Sequence, residues 1–176
     1  MIIQGETIYL RPITKDEEDT SHIIKWRNSE GVRPFFIYQA PFTRENHEKW
    51  LEEVIFKKKG YQFMVYDKLT DTMIGSTYFR DVDMISSKAE FGFFIGEESY
   101  KGRGIGSEIL NLMTEYGFQT LGFHKIYARA FADNKASVQC FLKNGFVQEA
   151  YLKQEVLIGE TYRDIVFVAK FSGHNQ

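Results

Sequence analysis

Residues 90–95 read EFGFFI and residues 101–107 read KGRGIGS. The first stretch is apolar and aromatic, which favours a β-strand. The second alternates three glycines, Gly102, Gly104 and Gly106, and leads into an apolar pattern with helical spacing. Where a glycine-rich turn joins a strand to the first turn of a helix, several backbone N–H groups can face one anion. The helix dipole also favours a phosphate at that place. This segment therefore predicts a phosphate site.

Two well-known phosphate loops do not fit this segment. A P-loop ends in Gly-Lys-Ser/Thr, whereas Gly106 is followed by Ser107 and Glu108. The dinucleotide fingerprint would need a glycine at position 107. Lys101 and Arg103 add mobile positive charge to the loop. On spacing alone, a plain glycine loop between strand and helix is the alternative.

Composition limits the class of protein. With 176 residues, 43% of them hydrophobic and 26% charged, the sequence predicts one globular domain over residues 1–176. A net charge of -2 gives no general attraction for nucleic acid or an anionic membrane. We find no run long enough for a membrane-spanning helix and no secretory signal, and the lone Cys140 excludes a multi-cysteine metal site. We therefore expect a cytoplasmic enzyme without a metal.

The periodicity predicts a mixed sheet, largely antiparallel, with helices on its faces. Thr14 and Glu17 have the capping-box spacing, which predicts a helix to about residue 26. Asn134 is the predicted N-cap of a later helix that Gly145 ends. The other helices are predicted from 43 to 58 and from 105 onward, and the strands over 7–11, 62–66, 73–79, 88–95, 125–131, 146–151 and 164–171.

The glycine loop closely resembles the pyrophosphate loop of the GNAT superfamily of acetyl-CoA-dependent N-acetyltransferases. That loop usually reads Gln/Arg-x-x-Gly-x-Gly/Ala, and here lysine replaces the first residue while both glycines are present. Residues 10–14 resemble the first strand of the family, and residues 134–137 with 144–146 resemble its second cofactor motif. The resemblance covers almost the whole chain. It implies an α/β fold of GNAT type, in which the fourth and fifth strands splay apart.

The resemblance also implies that acetyl-CoA binds as cosubstrate in the cleft between the splayed strands. A backbone N–H group near Phe93 or Phe94 is then the expected oxyanion donor. The residues assigned to the cofactor are Phe93, Phe94, Ile95, Lys101, Gly102, Arg103, Gly104, Ile105, Gly106, Ser107, Asn134 and Lys143.

Direct attack of an amine on the thioester requires a route for the ammonium proton and an acid for the thiolate. Glu90 matches the place where some family members carry a general-base glutamate, although this role needs a raised pKa or a relaying water. The tyrosine acid of the family is replaced by Phe141. Ser137 matches a serine of the ribosomal-protein acetyltransferase branch and is the expected acid, with a plain helix-start serine as the alternative. Cys140 lacks the partners of a covalent nucleophile.

The N-terminal half is expected to bind the acceptor. Trp26, Arg27 and Asn28, with His47 in a His-x-x-Trp pattern, resemble bacterial nucleotide-amino-sugar N-acetyltransferases. Aromatic rings there would stack on a base, and the arginine would pair with phosphate. Related positions occur in the ribosomal-protein branch. The alternatives are that Trp26 and Trp50 are core residues and that His47 is simply packed.

Three acceptor classes stay open. The leading hypothesis for the acceptor is an amino sugar attached to a nucleotide. A protein N-terminus and a small polyamine are the alternatives. A non-catalytic CoA-binding sensor, or a nucleotide-phosphate module without acyl transfer, is the alternative to an enzyme. The sequence leaves the number of subunits open, a homodimer included, and it calls for no nucleic-acid or membrane partner.

Overall fold

The computed structural model describes residues 1–173 of the chain. Its helices are α1 (Glu17–Asn28), α2 (Arg44–Trp50), α3 (Ile105–Glu115) and α4 (Lys135–Lys143). Its strands are β1 (Ile3–Gln4), β2 (Ile8–Pro12), β3 (Tyr61–Asp67), β4 (Thr72–Asp83), β5 (Lys88–Ile95), β6 (Lys125–Phe131), β7 (Val147–Ile158) and β8 (Thr161–Phe171). The strands form one sheet in the order β1-β2-β3-β4-β5-β6-β8-β7. None of the described helices is both long and apolar enough to cross a membrane.

Strands β5 and β6 are the parallel neighbours in this otherwise antiparallel sheet. They pair over a short distance, from Lys88 opposite Lys125 to Glu90 opposite Tyr127. Beyond that point β6 stays paired with β8 as far as Phe131, whereas β5 stays paired with β4 alone. The two strands therefore splay apart, which confirms the predicted mixed sheet. They are the fourth and fifth strands of the family pattern, because the two-residue β1 precedes them here.

Helices cover both faces of the sheet. The predicted apolar stripe of α3 is buried at Ile105, Ile109 and Met113, and it packs with α4 against one face. On the other face α1, α2 and the turn directly after α2 bury a second cluster that includes Trp26 and Leu51. Each fully buried side chain of this size contributes about 1.5–3 kcal/mol relative to exposure.

The predicted capping box at the start of α1 is wrong. The helix begins at Glu17 after Asp16, and Thr14 does not cap it. Instead, the backbone N–H and the hydroxyl of Thr14 donate to the carboxylate of Asp19, at 2.8 and 2.9 Å. Asp19 is buried and also accepts hydrogen bonds from Arg11. An ionised carboxylate is a stronger hydrogen-bond acceptor than a neutral group, so Thr14 donates to Asp19 instead of accepting from the first turn of the helix.

The later caps are confirmed. The side chain of Asn134 accepts from the N–H of Ser137, and Gly145 follows α4 with a φ of +82°. Thr43 caps α2 in a reciprocal capping box with Asn46. The predicted strands 146–151 and 164–171 are too short, because β7 and β8 extend into a long hairpin.

Candidate active site

The wedge between β5 and β6 opens into a cleft of about 790 Å³, which we call the cofactor cleft. It is bounded by the exposed end of β5, the glycine loop 101–107, the start of α4 and the loop 31–38. Arg103 and Ile105 lie outside its lining: Ile105 is buried in the core, and Arg103 lies over the ring of Tyr100. The other predicted cofactor residues line it, namely Phe93, Phe94, Ile95, Lys101, Gly102, Gly104, Gly106, Ser107, Asn134 and Lys143.

The glycine loop has the backbone that an anion site needs. Gly102 and Gly104 adopt φ values of +74° and +83°, which side chains other than glycine rarely tolerate. Among residues 1–173, the N–H groups of residues 102–106 have no backbone acceptor. Open N–H groups in consecutive residues ahead of α3 can bind an anion.

The ammonium of Lys101 is held by the protein itself. It donates to the carbonyl oxygen of Gly31 at 2.7 Å and pairs with Glu98. The expectation that Lys101 supplies mobile charge is therefore wrong. The contact instead ties the glycine loop to the segment after α1.

Glu90 lies at the point where β5 and β6 part, and it is 4% exposed. Arg129 donates to it in bidentate fashion, at 3.1 and 2.9 Å, and Arg80 donates at 2.8 Å. Burial alone would raise the pKa of Glu90, but these hydrogen bonds outweigh burial and hold the pKa below its ordinary value. A general base needs the opposite shift.

Sequence reasoning missed both arginines and Tyr78. Arg80 stands opposite Glu90 in the β4–β5 register, and Arg129 is a charged residue within the largely apolar strand β6. For Arg129, a charged side chain among apolar neighbours in a strand is the signal that could have marked it. Tyr78 lies over Gly92, where a Cβ atom would overlap its ring. Its hydroxyl has no protein hydrogen-bond partner among the described residues.

Four side chains with a hydroxyl line the cofactor cleft, namely Tyr38, Tyr78, Ser107 and Ser137. Ser137 lies in the first turn of α4, and Tyr78 reaches the cleft from β4. Phe141 is buried against Phe93, so no hydroxyl stands at that position. The thiol of Cys140 lies 3.7 Å from the hydroxyl of Ser107, and burial raises its pKa. A raised pKa disfavours the thiolate that a nucleophile needs.

The structure separates the four predicted acceptor residues. Trp26 is 1% exposed, and its indole donates to Glu97 at 2.8 Å, so it is a core residue that lies outside the cleft. Asn28 bridges the backbone of Ile24 and Phe42. Both assignments to the acceptor are therefore wrong, since these side chains hold α1 to its neighbours.

Arg27 and His47 meet at a second cavity of about 200 Å³, which we call the inner cavity. It is bounded by Arg27, Phe42, His47, Trp50, Tyr78 and Arg80. Arg27, Tyr78, Arg80 and Phe94 line the cofactor cleft as well, so the two spaces share a wall. Within residues 1–173, no group of His, Cys, Asp and Glu side chains is arranged to hold a metal ion.

Comparisons with known proteins give a consistent result. Residues 7–147 match the family model described as an acetyltransferase (GNAT) domain. The chain is 34% identical over 156 residues to the uncharacterized N-acetyltransferase YoaA of Bacillus subtilis, covering 87% of this chain and 86% of that protein. It is 28% identical over 147 residues to the ribosomal-protein-serine acetyltransferase of Escherichia coli, covering 82% and 79%.

A solved structure shares the fold. The spermidine N-acetyltransferase from Vibrio cholerae, in complex with CoA and spermine, aligns with a TM-score of 0.85 at 23% identity, covering 94% of this chain and 95% of that one. The family match includes β2, the splayed strands, the glycine loop and α4. The chain belongs to the GNAT acetyltransferase family and is an acetyl-CoA-dependent N-acetyltransferase.

Proposed function

We propose that acetyl-CoA lies in the cofactor cleft with its pyrophosphate on the open N–H groups of residues 102–106 and its thioester between β5 and β6. The observation that carries this placement is the loss of β5–β6 pairing directly after Glu90, on the same strand that leads to the glycine loop. Strand β5 then has backbone groups free to bind the pantetheine arm and the oxyanion near Phe93 and Phe94.

In the proposed reaction the amine nitrogen attacks the carbonyl carbon and gives a tetrahedral oxyanion. Collapse of this intermediate breaks the C–S bond, the amine loses a proton, and the CoA thiolate takes one up. Of the hydroxyls that line the cofactor cleft, those of Tyr78 and Ser137 are the candidate donors to the thiolate, because Tyr78 lies over Gly92 of β5 and Ser137 lies in the first turn of α4. Ser137→Ala and Tyr78→Phe each remove one hydroxyl with little other change and identify the donor by the larger loss of kcat.

Glu90 is proposed to position Arg80 and Arg129 rather than to accept the proton. Arg27, Arg80 and Arg129 carry three positive charges along the cleft wall against the one negative charge of Glu90. A positive environment lowers the pKa of a bound amine, because it disfavours the ammonium form. The acceptor therefore reaches the thioester as a neutral amine, and its proton leaves to water.

The same charges rank the acceptors. Spermidine carries several ammonium groups, which an arginine-lined wall repels. A nucleotide-linked amino sugar carries negative charge, which is complementary to the positive charge of this wall, so it stays the leading proposal for the acceptor. Of the four residues predicted to bind it, Arg27 is now the main support for that proposal. A protein N-terminus, by analogy with the Escherichia coli relative, is the second candidate.

The test is release of CoA from acetyl-CoA, corrected for hydrolysis, with each acceptor class offered separately. We expect turnover with a nucleotide-linked amino sugar and little with spermidine. Efficient turnover of spermidine would overturn the charge argument. Tight binding of acetyl-CoA without turnover of any of these amines would overturn all three acceptor classes.

A further inference from the structure

The inner cavity concentrates polar atoms that the protein leaves without partners. Four buried nitrogen atoms lack a hydrogen bond among the described residues: Nε of Arg27, Nε of Arg80 and both ring nitrogens of His47. All three residues line the inner cavity. Buried polar groups are nearly always satisfied, so several orphans around one space indicate that something polar fills it.

The charge of the inner cavity is positive. Among residues 1–173, none of the side chains that line it is a carboxylate. Arg80 shares Glu90 with Arg129, and its Nε atom lies 3.9 Å from the exposed carboxylate of Asp81. Arg27 has no such partner within the described chain, and its guanidinium stacks on Phe36 and Phe42, at 3.6 and 4.5 Å from the ring centroids. The stacking fixes the plane of the guanidinium and leaves its N–H edge free.

Of the remaining polar side chains around the inner cavity, those of Asn46, Trp50 and Gln62 have partners, whereas the hydroxyl of Tyr78 and the ring of His47 have none among the described residues. Trp50 donates to Gln62 at 2.7 Å, and Gln62 in turn donates to Ser76 at 3.0 Å. His47 is 0% exposed and neutral at physiological pH, because burial lowers its pKa to about 4. The inner cavity thus offers donors from Arg27 and Arg80 beside a rigid, apolar and aromatic frame.

We propose that the inner cavity is a subsite for an anionic group of the acceptor, a carboxylate or a phosphate, which Arg27 and Arg80 bind while the amine of the same molecule lies beside Phe94 in the cofactor cleft. This inference rests on the proposed acetyl transfer and narrows its acceptor to amines that carry an anion. The shared wall of the two spaces makes the arrangement continuous. The volume of about 200 Å³ exceeds the roughly 150 Å³ of a cavity that admits benzene, so a carboxylate or phosphate fits.

Binding is tested without catalysis by NMR on the ¹⁵N-labelled chain. Saturating CoA occupies the glycine loop first, and sodium acetate or inorganic phosphate is then added at constant ionic strength. The indole signal of Trp50 reports the inner cavity, whereas that of Trp26, bonded to Glu97, is an internal reference. We expect a saturable shift of the Trp50 signal alone. No shift in the wild-type chain means that only water fills the inner cavity and overturns the proposal.

The assignment to Arg27 uses matched variants. Arg27→Gln removes the unpaired charge and should abolish the Trp50 shift. Arg44→Gln removes an exposed arginine that pairs with Glu17 outside both cavities, and it should retain the shift. Equal shifts in both variants would overturn the role of Arg27. If Arg27→Gln fails to fold, the wild-type titration still decides whether the subsite exists.

Kinetics with paired acceptors tests the substrate class. Each pair differs only in the anion: an amino acid and its methyl ester, or an aminoalkyl phosphate and the amino alcohol. We expect kcat/KM to be about 10- to 100-fold higher for one of the anionic members, and Arg27→Gln to remove the preference. Which pair responds separates carboxylate from phosphate. Equal kcat/KM within both pairs overturns the inference, whereas failure of every amine together with a retained Trp50 shift overturns the proposed reaction alone.

Discussion

At Glu90 a single carboxylate is shared by two arginines, and this decides what the residue can do. Because its pKa lies below the ordinary value, Glu90 is ionised over the whole range from pH 6 to 9. We expect Glu90→Gln to leave the shape of the pH profile of kcat/KM unchanged in that range while lowering kcat/KM through misplaced arginines. We also expect a loss of about 1–3 kcal/mol in the free energy of unfolding, because the two arginines lose the negative charge and one of the two acceptor oxygens that they share.

The control for Glu90→Gln is Glu149→Gln, which removes a partly exposed carboxylate that pairs with Lys125 at the start of β6. It should lower stability by less than about 1 kcal/mol and leave kcat/KM unchanged. Loss of an ionisation near neutral pH in Glu90→Gln, with the wild-type profile intact in Glu149→Gln, would restore Glu90 as the base.

Among the elements, the glycine loop before α3 combines a conformational demand with a binding role. Gly104 has a φ of +83°, and alanine there should cost about 1–2 kcal/mol of stability and turn the loop away from the geometry that presents its N–H groups. Gly122 is a matched control, because its φ is +71° and it lies outside the cofactor cleft. We expect similar losses of stability in Gly104→Ala and Gly122→Ala, and a CoA Kd about tenfold higher in Gly104→Ala alone. Calorimetric titration with CoA gives both Kd values, and equal values would contradict the loop assignment.

The elements also differ in how well the sequence predicts them. Helix α4 is predictable because its cap residues, Asn134 and Gly145, are local signals. The β7–β8 hairpin is not, because two register shifts interrupt the alternation of its side chains and β7 is mostly exposed. Arg80 and Arg129 meet Glu90 from separate strands, a proximity that only the sheet order creates. The cofactor loop was therefore within reach of sequence reasoning, whereas the inner cavity was not.

For the molecule as a whole, the buried groups His47 and Asp19 both favour folding at neutral rather than acidic pH. Burial lowers the pKa of His47 from 6.5 to about 4, so the unfolded chain binds a proton in this range that the folded chain excludes. For Asp19 burial opposes ionisation, but the hydrogen bonds of Arg11 and Thr14 outweigh it and lower the pKa. Its contribution is present above the unfolded pKa of about 3.9 and is lost as pH falls through the folded pKa.

His47 and Asp19 affect stability in different pH ranges, so a variant can isolate the effect of one of them. In urea unfolding, the wild-type chain should lose up to about 3 kcal/mol between pH 6.5 and 4 because of His47, since one pKa unit corresponds to about 1.4 kcal/mol. In His47→Gln, the free energy of unfolding should not fall in this pH range because of position 47. It should still fall at lower pH, where the carboxylates are protonated. His22→Gln, a substitution on α1 outside the inner cavity, is the control for the loss of a histidine elsewhere. Parallel pH curves for the wild type and His47→Gln would show that the histidine is protonated in the folded chain, and its two ring nitrogens would then need acceptors at the inner cavity.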